Sequence, residues 1–164
     1  MAWLFLIGGL ILLFGVTAFT GAPYVPSRRR ELRRAFRELY LLSDEDFLVD
    51  IGAGDGVVLR VAREFGAHGV GYEINPVLVL VARLLKTDVR LANMWTAPFP
   101  EESTVVYTFG DARDIKKMYA KVRSEATRLG HSLAFITYGF EVPGEISERK
   151  YRAYHLYRVN PLSE

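Results

Sequence analysis

A short apolar run, Phe47-Leu48-Val49-Asp50-Ile51, passes directly into Gly52-Ala53-Gly54-Asp55-Gly56 and then into a helical pattern. Glycine at alternate positions lets a backbone turn tightly and approach a ligand closely, because any Cβ would intrude. A strand that feeds a helix through such a turn is a βα unit, and the rest of the chain repeats the alternation. Val58, Val61, Ala62 and Phe65 line one side of a helix over 57–66, followed by a strand over 68–74. The apolar segment 77–86 is a second helix, and Pro76 suits its first turn. Strands follow over 89–93, 104–109 and 132–138, with a long helix near 112–129. The tail reads as a short helix over 147–152 and a last strand over 153–159. Continuous apolar strands alternating with helices predict an α/β fold, a parallel sheet covered on both faces. The chain ends soon after Val159, which predicts a minimal sheet, short of seven strands. There is no internal repeat, and 164 residues suit a single core.

The glycine turn is not the dinucleotide fingerprint G-x-G-x-x-G, whose third glycine falls one residue later than Gly56. It reads D-x-G-x-G-x-G, and no G-x-x-x-x-G-K-[ST] occurs, which excludes a triphosphate P-loop. Asp50 stands at the carboxyl end of the strand, where open α/β sheets bind ligands; the competing role is a turn cap. The first turn of the following helix is expected to offer unpaired N–H groups to the ligand. Glu73, twenty-one residues beyond Gly52 in GYEINP, falls at the end of the second strand. A carboxylate there can accept hydrogen bonds from both hydroxyls of a ribose; otherwise it is a surface-loop acid.

Residues 2–20, AWLFLIGGLILLFGVTAFT, carry no charge and span roughly 28 Å as a helix, close to the hydrocarbon thickness of a bilayer. Trp3 and Tyr24 fall where interfacial aromatics are expected. A signal peptide would begin with basic residues, but here all of them follow the apolar run. The positive-inside rule then places the N-terminus outside and the remaining chain in the cytoplasm. Pro23 and Pro26 make a linker. Ser27 is the expected N-cap of a helix whose Leu32, Ala35, Phe36, Leu39 and Tyr40 form one apolar stripe. The division expected is an anchor over 1–22, linker and amphipathic helix over 23–42, and a globular domain over 43–164.

The net charge is +2, yet Arg28 to Glu38 alone holds six arginines against two glutamates, so the rest of the chain is mildly acidic. A nucleic-acid binder would spread positive charge over its fold, so none is expected as a partner. The arginines instead suit membrane topology and anionic headgroups. With no cysteine there is no disulfide, thiolate nucleophile or sulfur-built zinc site, and three scattered histidines point to no metal centre.

The glycine turn with Asp50 and Glu73 resembles the class I S-adenosylmethionine (SAM) methyltransferases. PYVPSRRREL, LVDIGAGDGVV, VGYEINPVLVLVARL and NMW, in that order and spacing, are more specific. They resemble the membrane-anchored protein lysine methyltransferases that act on the mitochondrial ADP/ATP carrier and the ATP synthase c-subunit. The similarity covers most of residues 23–143. It implies a Rossmann-like methyltransferase sheet preceded by one transmembrane helix, with SAM as the cofactor.

By that resemblance Asp50, Gly52, Ala53, Gly54, Asp55 and Gly56 form the SAM-binding turn, with Asp50 toward the methionine part and Glu73 on the ribose. Asn93-Met94-Trp95 stands where the family has an acid, a leucine or similar, and tryptophan. Asn93 departs from the acid, but its amide oxygen can still accept from the adenine amino group, or it simply caps a turn. Met94 and Trp95 serve equally as core residues, and Tyr24 and Pro26 as a lid element or a rigid linker. The segment FGDARD (109–114) lacks the proline of the relatives, whereas GFEVP (139–143) matches their phenylalanine-and-proline segment. Candidates to line the acceptor pocket are Tyr107, Asp111, Tyr138, Phe140 and Glu141, with no general base singled out. The function implied is lysine methylation on a membrane protein. The alternatives are methylation of a lipid or small amphiphile, and a non-catalytic nucleoside-binding scaffold.

Overall fold

The computed structural model describes Trp3, Leu4, Gly8, residues 28–110 and residues 112–162. The expected anchor over 1–22 therefore lies almost wholly outside the described residues, as do Ser27, Tyr24, Pro26 and Asp111. Among the described residues no helix is long and apolar enough to cross a membrane.

In chain order the elements are α1 (Arg29–Glu38), β1 (Phe47–Ile51), α2 (Val57–Arg63), β2 (His68–Glu73), α3 (Pro76–Leu84), β3 (Val89–Leu91), β4 (Val105–Phe109), α4 (Ile115–Leu129), β5 (Leu133–Tyr138), β6 (Arg149–Tyr151) and β7 (Tyr154–Val159). The strands form one sheet in the order β3-β2-β1-β4-β5-β7-β6. β1 to β5 are parallel, while β7 runs antiparallel to both β5 and β6. The order reverses between β1 and β4, the switch point at which such sheets open a crevice beyond their carboxyl ends.

Two expectations are corrected here. The sheet is mixed rather than all-parallel, and it has seven strands rather than fewer. Both errors come from residues 147–152, read as a helix, whose core is strand β6. The hairpin register is Arg149↔Leu156, Lys150↔His155 and Tyr151↔Tyr154, joined by the two residues Arg152 and Ala153. Such turns are normally announced by Asn-Gly or Asp-Gly, which supply the positive φ at little cost. Here Arg152 adopts φ 55 instead. Its guanidinium grips both carboxylate oxygens of Glu31 on α1, at 3.1 and 3.2 Å, so a tertiary contact holds the turn.

Each face of the sheet has its own core. Leu32, Ala35 and Phe36 of α1 are fully buried, and pack with Val58 and Val61 of α2 and Val79 and Ala82 of α3. Ile115, Met118, Val122 and Ala126 of α4 close the other face over Val49, Val106 and Phe135. The expected apolar stripe of α1 is thus a core element, although its N-cap is Arg28 rather than Ser27.

Candidate functional site

The glycine turn sits at the carboxyl end of β1, beside the switch point. Gly52, Gly54 and Gly56 have φ of 82, 55 and 76, a left-handed conformation that side chains with a Cβ rarely adopt. Gly56 is also sterically required, because an added Cβ would lie 2.6 Å from Cγ2 of Thr87. At Gly52 an added Cβ would meet nothing within 4 Å among the described residues, so the backbone there faces open space.

The N–H groups of the glycine loop are largely engaged within the protein, while in the first turn of α2 only Val57 is met by a side chain among the described residues. Gly52 and Ala53 both donate to the Tyr72 carbonyl, at 2.9 and 3.1 Å, and Gly56 donates to Ala53 at 2.8 Å. Val57 donates to Asp55 Oδ1 at 3.1 Å. Gly54 donates to Glu73 Oε2 at 2.9 Å, and the Asn75 N–H holds Oε1 at 2.8 Å. Glu73 is half-buried and cross-braces the glycine turn to the start of α3, rather than standing as a free strand-end acid. Each of its oxygens keeps a second lone pair for a ligand hydroxyl.

Asp50 is the unusual group. It pairs across the sheet with Gly71 on one side and Tyr107 on the other, and is 1% exposed. Its Oδ2 has no hydrogen-bond partner among the described residues. Burial, then the neighbouring carboxylates of Glu73 and Asp55, push its pKa well above the usual carboxylate range. A buried, unpartnered acid crowded by two others is poised to receive a cationic group.

Asp55 points elsewhere. Its Oδ2 pairs with Arg60 Nη2 at 2.7 Å while Oδ1 holds the first turn of α2, so it shapes the loop. Ala53 is buried against β2, where an added Cβ at Gly71 would approach its own to 2.4 Å.

Asn93 is exposed, and its Oδ1 accepts from the Trp95 N–H at 3.0 Å, so it does cap a turn. Met94 and Trp95 are half-buried against the α4-side core, with Lys117 Nζ 4.1 Å from the Trp95 ring centre. The same loop is pinned further on, where buried Glu125 accepts from the Phe99 N–H at 3.1 Å. Lys121 and Arg128 hold that carboxyl below its usual range despite burial, which by itself raises it.

The candidate acceptor residues divide. Tyr107 is 1% exposed and packs edge-on against Phe36, so it belongs to the core beneath the site rather than to an open pocket. Glu141 is exposed and paired with Lys150 at 2.7 Å, on the hairpin side. Tyr138 does reach the strand ends, 5.1 Å from Phe109 and 4.6 Å from Tyr154 between ring centres. Phe109, Tyr138, Tyr154 and Tyr151 are register partners, so one aromatic row crosses four strands at this edge. Phe140, 40% exposed, follows immediately. Asn75 was not singled out by sequence. It is 1% exposed, positions Glu73 through its N–H and caps α3 through its side chain, a role signalled by the Asn-Pro start of a helix.

No family model matches the chain. It is 30% identical over 111 residues to the ATP synthase c-subunit lysine N-methyltransferase of Xenopus laevis, covering 63% of this chain and 48% of that one. The Rattus norvegicus protein of the same name is 29% identical over 144 residues, covering 75% and 65%. The chain thus spans about half to two thirds of the length of these curated relatives. Among solved structures it is similar to an RNA methyltransferase from Salinibacter ruber in complex with S-adenosyl-L-homocysteine, at TM-score 0.73 and 23% identity, covering 85% of this chain and 97% of that one. At that identity the likeness shows the fold, which is that of the class I SAM-dependent methyltransferases.

Proposed function

We propose that this chain is a SAM-dependent methyltransferase, anchored in a membrane by residues 1–22 with its domain on the cytoplasmic side, and that it methylates lysine on a membrane protein. Asp50 carries the cofactor reading. A buried carboxyl with an orphaned oxygen beside a left-handed glycine turn fits a ligand that brings positive charge and must approach the backbone closely. SAM does both, through its amino group and its sulfonium. The lysine reading is supported by the names of the two relatives above. The membrane reading is supported by the uncharged run 2–20 and the arginines that follow it.

In this reading Asp50 would hold the methionine end and Glu73 would accept from the ribose, while Asn93 Oδ1, which already accepts from the Trp95 N–H, would keep one lone pair for the adenine amino group. Bound SAM supplies a methyl group already activated by its sulfonium. The protein's work is therefore to align the acceptor and exclude water. Phe109, Tyr138 and Phe140 offer an apolar, aromatic approach at the strand ends. Such surroundings desolvate a lysine ammonium and favour the neutral amine that transfer requires.

Glu73→Ala is expected to weaken SAM by about 1–3 kcal/mol, the cost of leaving a hydrogen-bonding group without its partner, as read by titration calorimetry. Binding of NAD but not SAM by the unaltered chain would overturn the cofactor reading.

The test of the whole reading is transfer of radiolabel from SAM to native membranes, followed by separation of protein from lipid. Label in a membrane protein, at lysine, is the expected result. Label confined to lipid would replace the lysine reading with an amphiphile methyltransferase. Removing residues 1–22 is expected to leave SAM affinity nearly unchanged while greatly reducing membrane labelling, because the anchor raises the effective concentration of acceptors. Equal labelling by both forms would remove the anchor's role.

A further inference from the structure

α3 is apolar on two sides. Leu78, Val79 and Ala82 are buried against the sheet. On the opposite side Val77, Leu80, Val81, Leu84 and Leu85 recur at i, i+3, i+4, i+7 and i+8. Leu80, Val81, Leu84 and Leu85 are 59%, 37%, 75% and 46% exposed. A surface helix of a water-soluble domain normally turns a polar face outward, whereas this one offers Arg83 alone among charged residues.

The stripe belongs to a larger basic surface. α1, α2 and α3 form one layer, joined by the Arg33–Glu64 ion pair at 2.6 Å and by Arg63, which donates to the Lys86 carbonyl at 3.0 Å. Arg29, Arg30, Arg37, Arg63, Arg83 and Lys86 are exposed on these helices and their ends. Of the acids on these helices, Glu31 is held by Arg152 and Glu64 by Arg33, and Glu38 is exposed, so the layer keeps a clear excess of positive charge. Exposed leucines among arginines in excess are the composition of a surface that seats in the headgroup region of an anionic bilayer.

We infer that the α1–α2–α3 layer lies against the bilayer, with the outer stripe of α3 entering the headgroup boundary. The occupant is a lipid surface because the uncharged run 2–20 leads into α1 within a few residues, and because the surface is basic. A second copy seated on the same layer would oppose arginine with arginine. The inference rests on the anchor reading and adds an orientation to it. With the layer down, the carboxyl edge of the strands faces sideways along the membrane, at the height of an acceptor emerging from it.

The chain contains no cysteine, so Leu84→Cys places a single environment-sensitive fluorophore on the stripe. Ser124→Cys, exposed on α4, places it on the opposite face as a control. The full chain is reconstituted in vesicles of phosphatidylcholine and phosphatidylglycerol with spin-labelled lipid. The Leu84 label is expected to shift to the blue and to lose most of its intensity to the lipid quencher, with the Ser124 label unaffected. Leu80→Asp with Val81→Asp, added to the labelled full chain, should abolish the blue shift and the quenching of the Leu84 label, while flotation and SAM binding persist. Vesicle-bound chain with both labels in water overturns the docking and spares the anchor. Failure of the full chain to float with vesicles overturns the anchor itself. A blue-shifted Leu84 label that lipid does not quench identifies a second copy or the chain's own N-terminal segment as the occupant, and overturns the proposal.

Discussion

Asp50→Asn is expected to stabilise the ligand-free chain and to weaken SAM binding sharply. The two effects have one origin. Burial and the carboxylates of Glu73 and Asp55 hold the folded-state pKa of Asp50 well above its unfolded value. Between those two values the folded state keeps a proton that the unfolded chain has lost. Stability from this group is therefore complete below the unfolded pKa and declines as pH rises toward the folded one. The amide removes that decline, so the melting temperature at neutral pH should rise. A cationic ligand needs the ionised carboxyl, so SAM should bind more tightly as pH rises through the folded pKa, with release of a proton. Loss of a hydrogen-bonded charge partner weakens such a contact by about 1.5–3 kcal/mol, or ten- to more than a hundredfold. Calorimetry in buffers of different ionisation enthalpy reads the proton directly. A pH-independent affinity, unchanged in Asp50→Asn, would sink the assignment.

Gly71→Ala is expected to cost about 3 kcal/mol of folding stability, the upper part of the range for overpacking a core. Gly71 lies in β2 opposite Asp50, and its added Cβ would lie 2.4 Å from that of Ala53 and 3.2 Å from methyls of Leu59 and Val89. Ala53 has little room to retreat, because the Tyr72 carbonyl holds its N–H at 3.1 Å between two left-handed glycines. The strain should therefore displace the glycine turn and weaken SAM as well. Gly130→Ala is the control, since φ is 75 there but an added Cβ meets nothing within 4 Å. It should cost about 1 kcal/mol, from backbone conformation alone. Urea unfolding of the two variants separates sterics from backbone strain. Equal losses would falsify the claim that β2 packs this tightly beneath the turn.

Local chemistry was readable from the chain. Glycines at alternate positions mark positive φ because only they adopt it cheaply, and all three at 52, 54 and 56 do so. Pro76 marks the start of α3 because a missing N–H suits a first turn. The period of Leu32, Ala35, Phe36 and Leu39 marks a buried helical face for the same kind of reason. Each of these terms is set within a few residues of sequence.

What the sequence left open depends on contacts between distant residues. Tyr107 lies two residues before the aromatic edge and packs into the core, because its register partners are Asp50 and Ile136 rather than the strand-end residues. The acid at 73 was identifiable, but its two N–H partners come from the glycine turn and from Asn75, brought together by β1–β2 pairing. The β6–β7 turn is met by Glu31, 121 residues away from Arg152, and no local signal marks it. Composition and period thus determined most of the strands and helices, though not β6, and where the ligand turn lies. Only tertiary structure decided which acid is orphaned and which aromatics line the edge, because hydrogen-bond satisfaction and burial are properties of assembled neighbours.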